Sequence, residues 1–508
     1  MSSLLTREEY AAIANSLSLP TNAFINGKAC SAKDGATFES TNPATNEKLA
    51  DIAACGDVDV DHAVVKAREV FESGTWAKQH PTERKKVLIQ LAKLMRRNQR
   101  ELAVMESVES GKPIHEIETI DLPETINCIE WHAETTDKIY DQVAPTGDDA
   151  LAMIVREPIG VVGCVLPWNF PMLMLAWKIG PALAAGNSVI IKPAEETSMT
   201  ALRIAELAQE AGLPNGVLNI LPGLGDVTGK AIGLHPDIDM VSFTGSTEVG
   251  RYFLEYSARS NLKKIVLECG GKNPCVVLKD ADNLDVVAQH VTSAVFWNMG
   301  ENCSSNSRLI VHEDVKEALL ERILHRTREW KMGDPLEPSN VLGAIVSKTQ
   351  HERIMHYIEL GKKEGGKLIL GGNAVKESNG YFIEPTIFDD VTPMMTIAKE
   401  EIFGPVLAII TVKSSDEALK VANDTDYGLA ASVFTSNVKT AHRMARAIKA
   451  GTVTINCFGE GDATTPFGGY KQSGFGGRDK SIHAHDQYTE MKTIWLDLSD
   501  NDIDESLD

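Results

Sequence analysis

The sequence predicts an α/β protein with two parallel-sheet units and a projecting β arm. Three observations carry this. Between residues 159 and 268 short β-branched apolar runs alternate with helical segments, the pattern of βαβ units around a buried parallel sheet. A second alternation begins after Gly270. Two segments, 138–157 and 488–498, fit neither unit and have the alternating character of paired strands at a domain edge.

In the first unit strands are predicted at 161–166, 188–191, 217–221, 240–243 and 265–267, with helices near 172–184, 198–211, 225–234 and 247–257. Ligands of such sheets sit beyond the carboxyl ends of the strands, so this reads as a nucleotide-binding unit. The second unit has strands at 275–278, 309–312, 408–412 and 452–455 and a helix over 284–298. The junction at 268–271 should face a cleft shared by both. The expected division is 1–137 with 159–269, then 270–480, with 138–158 and 486–500 as an oligomerisation flap.

A chain of 508 residues exceeds one ordinary core. Its 24% charged and 43% hydrophobic residues suit a globular enzyme. A net charge of -21 argues against nucleic acid and anionic lipid as partners. The acidic tail 497–508 reads as a solvated terminus. The start carries Arg7, Glu8 and Glu9 and lacks a basic end followed by an apolar block, so a cytoplasmic location is expected. No apolar run approaches the roughly 18 residues of a membrane span. Eight scattered cysteines, with no CxxC pair and no His cluster, suggest neither a disulfide framework nor a metal site.

Two segments concentrate the chemistry. Leu267-Glu-Cys-Gly-Gly-Lys-Asn-Pro274 places Glu268 at a strand end before glycines that permit a sharp turn. Asn298-Met-Gly-Glu-Asn-Cys-Ser-Ser305 places Cys303, 35 positions after Glu268, beyond a helix ending at a glycine. Backbone donors around such a cysteine favour its thiolate. Both segments resemble the signature sites of the aldehyde dehydrogenase superfamily. Similar too, in the family's order, are Pro167-Trp-Asn-Phe-Pro171, Lys192-Pro-Ala-Glu195, Phe243-Thr-Gly-Ser-Thr-Glu-Val-Gly250, Glu400-Glu-Ile-Phe-Gly-Pro405 and Pro466-Phe-Gly-Gly-Tyr-Lys-Gln-Ser-Gly474.

The resemblance implies the aldehyde dehydrogenase fold: a Rossmann-like NAD domain, a second α/β catalytic domain and a β oligomerisation flap. It makes Cys303 the nucleophile, Glu268 the base for the hydrolytic water, and Asn169 with the Cys303 N–H the oxyanion hole. Lys178 matches a family lysine near the active site, with a structural ion pair as the alternative reading. For the cofactor, Lys192 and Glu195 follow the second strand, where a carboxylate binds ribose hydroxyls and repels a 2'-phosphate, so NAD is preferred to NADP. The segment from Phe243 through Gly245 and Ser246 opens a helix whose N-terminus can face the pyrophosphate. Family resemblance adds Trp168, Gly225 and Gly229 near the cofactor, and Glu401 with Phe403 at the nicotinamide riboside.

By the same pattern the substrate tunnel involves Glu124, Phe170, Met174, Trp177, Trp297 and the loop 458–467, with Glu460, Asp462 and Phe467. Glu124, Glu460 and Asp462 make an acidic mouth over an aromatic throat, which suits an aldehyde with a cationic far end by Coulomb attraction and contact with Trp177 or Trp297. The segments 151–158, 456–462 and 477–481 resemble the bacterial branch that oxidises gamma-glutamyl-gamma-aminobutyraldehyde, 4-guanidinobutyraldehyde and related omega-amino aldehydes. The alternatives are a broad-specificity or betaine-type enzyme and a non-catalytic family member, the last disfavoured by the presence of Cys303, Glu268 and Asn169. Two positions depart from the family pattern: Ser305 replaces a small Ala or Gly, and Asp479 stands where some members have a Glu in a proton relay. A homodimer or homotetramer is expected from the flap.

Overall fold

Short, fully buried β-branched strands organise the chain into an eight-stranded and a seven-stranded sheet, joined by a three-stranded and a two-stranded one. The computed structural model describes residues 4–375 and 378–499, so the tail at 500–508 lies outside the described residues. Five parallel strands form the centre of the first sheet, in the spatial order Leu218–Ile220, Ser188–Lys192, Val161–Val165, Met240–Thr244, Lys264–Glu268. Numbered along the chain, that is the order 3-2-1-4-5 of half a dinucleotide-binding sheet. The order reverses between Val161–Val165 and Met240–Thr244, where such sheets open a ligand crevice.

The local sequence explains the crevice walls. The helix Pro171–Ala185 starts with proline, whose missing N–H is unneeded in the first turn, and ends on Gly186 at φ 100°. It is buried throughout, as its lack of a polar face requires. The helix Thr247–Arg259 is capped by Ser246, whose hydroxyl accepts the Val249 N–H at 3.2 Å. The predicted helix over 225–234 instead begins as a π-helical turn, Gly225–Gly229, and continues as Lys230–Leu234.

In the second sheet Pro274–Val277, Arg308–His312, Val406–Val412 and Thr452–Ile455 lie at predicted positions. Lys367–Leu370, Thr386–Asp389 and Ala430–Phe434 complete it without having been predicted. Two are only four residues long and the third opens with two alanines, so neither period nor propensity marked them. The helix predicted to 298 stops at Phe296, because Asn298 and Met299 take left-handed backbone angles.

One strand crosses the expected boundary between the units. Gly474–Phe475 pairs antiparallel with Lys264–Glu268, setting Gly474 opposite Glu268. Gly474 has φ 134°, and a Cβ there would lie 2.0 Å from the Leu267 carbonyl oxygen, so no side chain fits. The segments read as an arm pair as Thr489–Asp497, Ala150–Pro158 and Gln142–Ala144, all antiparallel. Thr489–Asp497 is an edge strand exposed along nearly its whole length, with Met491 at 74% and Trp495 at 63% of full exposure. Among the described residues no helix is long and apolar enough to cross a membrane, and no cluster of metal-ligating side chains occurs.

Gly474→Ala is expected to cost more than about 1 kcal/mol of stability and to lower activity by drawing the 466–480 segment away from Glu268. A wild-type urea midpoint and wild-type turnover would contradict this.

Candidate active site

Cys303, Glu268 and Asn169 line one cavity at the carboxyl ends of the switch-point strands. The Asn273 amide pins the nucleophile loop by donating to the carbonyls of Cys303 at 2.7 Å and Ser305 at 3.0 Å. Burial pushes the Cys303 thiol well above its ordinary value, and Glu460, Glu401 and Glu268 push it further, while its own backbone N–H pulls it down. Burial and these three carboxylates thus work against the backbone donors expected to favour the thiolate.

The Asn169 amide donates to the Glu301 carbonyl at 2.9 Å, and among the described residues nothing engages its second N–H. Glu268 is buried, and burial followed by the charge of Asp479 holds its carboxyl well above the usual range, against the pull of Lys178 and Arg478. Asp479 replaces the family's relay glutamate yet faces the same cavity. Its carboxylate receives the Lys178 ammonium at 2.6 Å and the Gln487 amide at 3.1 Å, with both members of the ion pair buried. Lys178 therefore reaches the site through Asp479, the ion-pair reading of this lysine.

Beyond the nucleophile the cleft fits a dinucleotide. After the strand Ser188–Lys192 the Lys192 ammonium bonds Glu195 at 2.8 Å and the Pro193 carbonyl at 2.9 Å. Burial pushes the Glu195 carboxyl up, but Lys192 and the backbone of Gly225 bring it below its ordinary value, so it stays an acceptor for hydroxyl groups. The Gly225–Gly229 turn lies beside it, and a Cβ on Gly229 would sit 3.8 Å from the Lys192 chain. Gly245 and Ser246 present the helix N-terminus to the cavity. At the inner end Trp168 and Phe403 pack edge to face at 5.2 Å, and Gln350 holds the Phe403 carbonyl at 2.7 Å. Glu401 accepts the Gly271 N–H at 2.8 Å, and burial pushes its carboxyl to about 7. Phe243 is the exception: it lies in the core against Phe253 and touches the cleft only through Gly245.

Residues 30–494 match the aldehyde dehydrogenase family. The chain belongs to that family. An aminoacetaldehyde dehydrogenase of Pseudomonas aeruginosa is 61% identical over 98% of the chain and 100% of its own length. The gamma-glutamyl-gamma-aminobutyraldehyde dehydrogenase of Burkholderia cenocepacia superposes with TM-score 0.96 at 49% identity, covering 97% of this chain and 100% of that one. A mutant of the P. syringae indole-3-acetaldehyde dehydrogenase AldA, in complex with NAD+ and IAA, also gives TM-score 0.96, at 45% identity over 97% of this chain and 100% of that one. As a family member the protein is an oxidoreductase acting on aldehydes.

In this aldehyde dehydrogenase the throat differs from the sequence expectation. Trp177, Met174 and Phe467 line the cavity, with the Trp177 and Phe467 rings 5.2 Å apart. Phe170 packs on Trp297 at 5.2 Å, and Trp297 on Phe458 at 6.5 Å. A cation already occupies the first pair: the Lys480 ammonium lies 5.2 Å from the Trp177 ring and 5.6 Å from Phe467, and donates to the Glu460 carbonyl at 2.8 Å. The three carboxylates of the expected mouth are not equivalent. Glu124 is exposed on the helix Leu122–Thr135, and Asp462 caps its own turn by accepting the Thr464 N–H and hydroxyl at 2.8 and 2.6 Å. Glu460 turns inward to accept the Ser304 hydroxyl, and burial raises its carboxyl. Lys480, Gln350 and Arg353 were not singled out from the sequence; only the lysine's place beside Arg478-Asp479 gave a signal, and its aromatic partners are tertiary.

Alkylation of Cys303 by iodoacetamide should be slow at neutral pH and accelerate into the alkaline range. Glu460→Gln removes the foremost carboxylate charge acting on the thiol, so it should raise the rate at fixed pH. An unchanged rate would show that the charge is not felt there.

Proposed function

We propose that the protein oxidises short amino-substituted aldehydes to carboxylates with NAD, through a thioester on Cys303. The inward Glu460 carboxylate, bonded to the hydroxyl of the residue after the nucleophile, carries this reading. The name of the 61%-identical relative points the same way. Held close to the reacting carbon, the carboxylate favours an amine a few bonds from the carbonyl over a distant guanidinium or an acylated chain. Because Lys480 sits on the throat rings, Glu460 is the better partner for the substrate amine than Trp177. Guanidino and gamma-glutamylamino aldehydes remain within the broader class, with a broad-specificity or betaine-type enzyme as the alternative.

The steps follow from the side chains. Cys303 gives its proton to solvent water and its sulfur adds to the aldehyde carbon, while its own N–H and the free N–H of Asn169 receive the developing oxyanion. NAD, when bound, accepts the hydride that collapse of the tetrahedral adduct releases, and a thioester remains on Cys303. Glu195 would hold the adenosine ribose hydroxyls, Gly245 and Ser246 would face the pyrophosphate, and Trp168, Glu401 and Phe403 would bound the nicotinamide end. Glu268 then takes a proton from the water that cleaves the thioester. Lys178 and Asp479 set the charge that Glu268 experiences.

With NAD and a panel of aminoacetaldehyde, 4-aminobutyraldehyde, 4-guanidinobutyraldehyde, betaine aldehyde and propanal, NADH formation should favour the first two over propanal by roughly tenfold or more in kcat/KM, a difference of about 1.4 kcal/mol. Glu460→Gln should erase that preference, and equal efficiency across the panel in the wild type would overturn the reading.

The hydrolytic limb should also report Glu268. A carboxyl raised by burial is a base only above its raised value, so turnover should rise with pH through a range well above that of an ordinary glutamate. Lys178→Met removes a charge that lowers the value and should move the limb to higher pH, whereas an unmoved limb would assign it to another group.

The open edge strand Thr489–Asp497, with Met491, Ile494, Trp495 and Leu496 exposed, fits pairing with a second copy of the chain. Trp495→Glu should lower the mass found by light scattering, and an unchanged mass would exclude this edge. All eight cysteines are free, in keeping with a reducing cytoplasm.

A further inference from the structure

The oxyanion-hole side chain rests on a strained turn. Asn298, Met299 and Gly300 run in succession through the left-handed region, at φ 51°, 55° and 72°. Glycine is required at the third, where a Cβ would lie 2.2 Å from the Gly404 carbonyl, but Asn298 and Met299 pay the usual steric cost of L residues there. Such a turn persists only when its neighbours fix it. The Asn298 amide donates to the carbonyls of Asn169 and Glu301, both at 2.9 Å, and the Asn169 amide donates to the same Glu301 carbonyl at 2.9 Å. The direction of the Asn169 amide is thus set by the turn.

What holds the entrance of the turn is a buried carboxyl, which burial pushes up to about 8. Glu116, 3% exposed, accepts the Asn298 N–H at 3.2 Å. It closes the helical turn Ile114–Glu116, which runs into the π-helical turn Ile117–Asp121. Asp121 pairs with the Lys112 ammonium, and that ammonium sits 3.7 Å from the centre of the Phe170 ring, next in sequence to Asn169. The same short segment therefore grips both sides of the oxyanion hole.

We propose that Glu116 is a positioning residue for aldehyde oxidation: it holds the left-handed Asn298–Met299 turn, and through Asn298 it orients the Asn169 amide. This rests on the reading of Asn169 as an oxyanion donor. It does not depend on amine selectivity, so propanal is the substrate of choice for the test.

Glu116→Gln keeps an oxygen acceptor for the Asn298 N–H, whereas Glu116→Ala removes it. In the full-length protein Glu116→Ala should lower kcat with propanal by about tenfold or more, while the Kd for NAD and the iodoacetamide rate of Cys303 stay within about twofold and Glu116→Gln retains most of the activity. If Glu116→Ala keeps wild-type kcat, if Glu116→Gln loses as much as Ala, or if NAD binding falls in parallel, the assignment is overturned. Asn298→Asp tests the same link without touching Glu116. It removes the amide that steers Asn169 and should lose kcat comparably; if Glu116→Ala does not fold, Glu116→Met, which fills the space without an oxygen acceptor, takes its place with the same outcomes. Asn169→Ala separates the two readings: full activity there would sink the oxyanion role, whereas its loss beside an active Glu116→Ala would sink only the role of Glu116.

Discussion

The pairing of Lys264–Glu268 with Gly474–Phe475 is the contact on which the site depends. It fastens a piece of the downstream chain to the edge of the nucleotide-type sheet, directly opposite Glu268. From that anchor the backbone bonds between Phe467 and Asp479, at 2.7 and 2.8 Å, close a loop that brings a throat ring and the Lys178 partner to the same carboxylate. The loop before Phe467 then delivers Glu460 to Ser304. Without this edge Cys303 would lose Phe467 and Asp479 from its cavity.

A second constraint is dryness. Glu268, Glu401, Glu460 and the Cys303 thiol all share one region, and burial is the foremost cause raising each of them. Anions this close cannot all be charged at once without water. A cationic ligand entering the cleft would relieve the crowding. That is a site arranged to respond electrostatically to what enters it, the behaviour of groups whose values are tuned for proton transfer.

The central fold was legible because its strands are continuous apolar runs separated by helices, and the five strands of the first sheet fall within a residue or two of their predicted limits. The segments around Glu268 and Cys303 stood out through their resemblance, with five other motifs in the same order, to the aldehyde dehydrogenase family rather than through their local pattern alone. Three things were not legible. Gly474–Phe475 is two residues long and has no periodicity to detect. The inward turn of Glu460, against the self-capped Asp462 and the exposed Glu124, depends on Ser304 and Lys480 meeting it in space. The left-handed run from Asn298 to Gly300 ends a helix that composition alone extends to 298, and only Asn and Gly hint at it.

The flap has a mechanical relation to the proton chemistry that its exposed position conceals. Gln487, whose amide holds Asp479, is followed at once by Tyr488, whose carbonyl is held by the Asn187 amide and the Ile159 N–H, and then by the solvent strand. Only two residues separate a surface on which another molecule can rest from the clasp on a buried carboxylate. The backbone bonds at Tyr488 lie between that strand and the clasp, so the exposed edge and the buried carboxylate share one short, anchored stretch of chain.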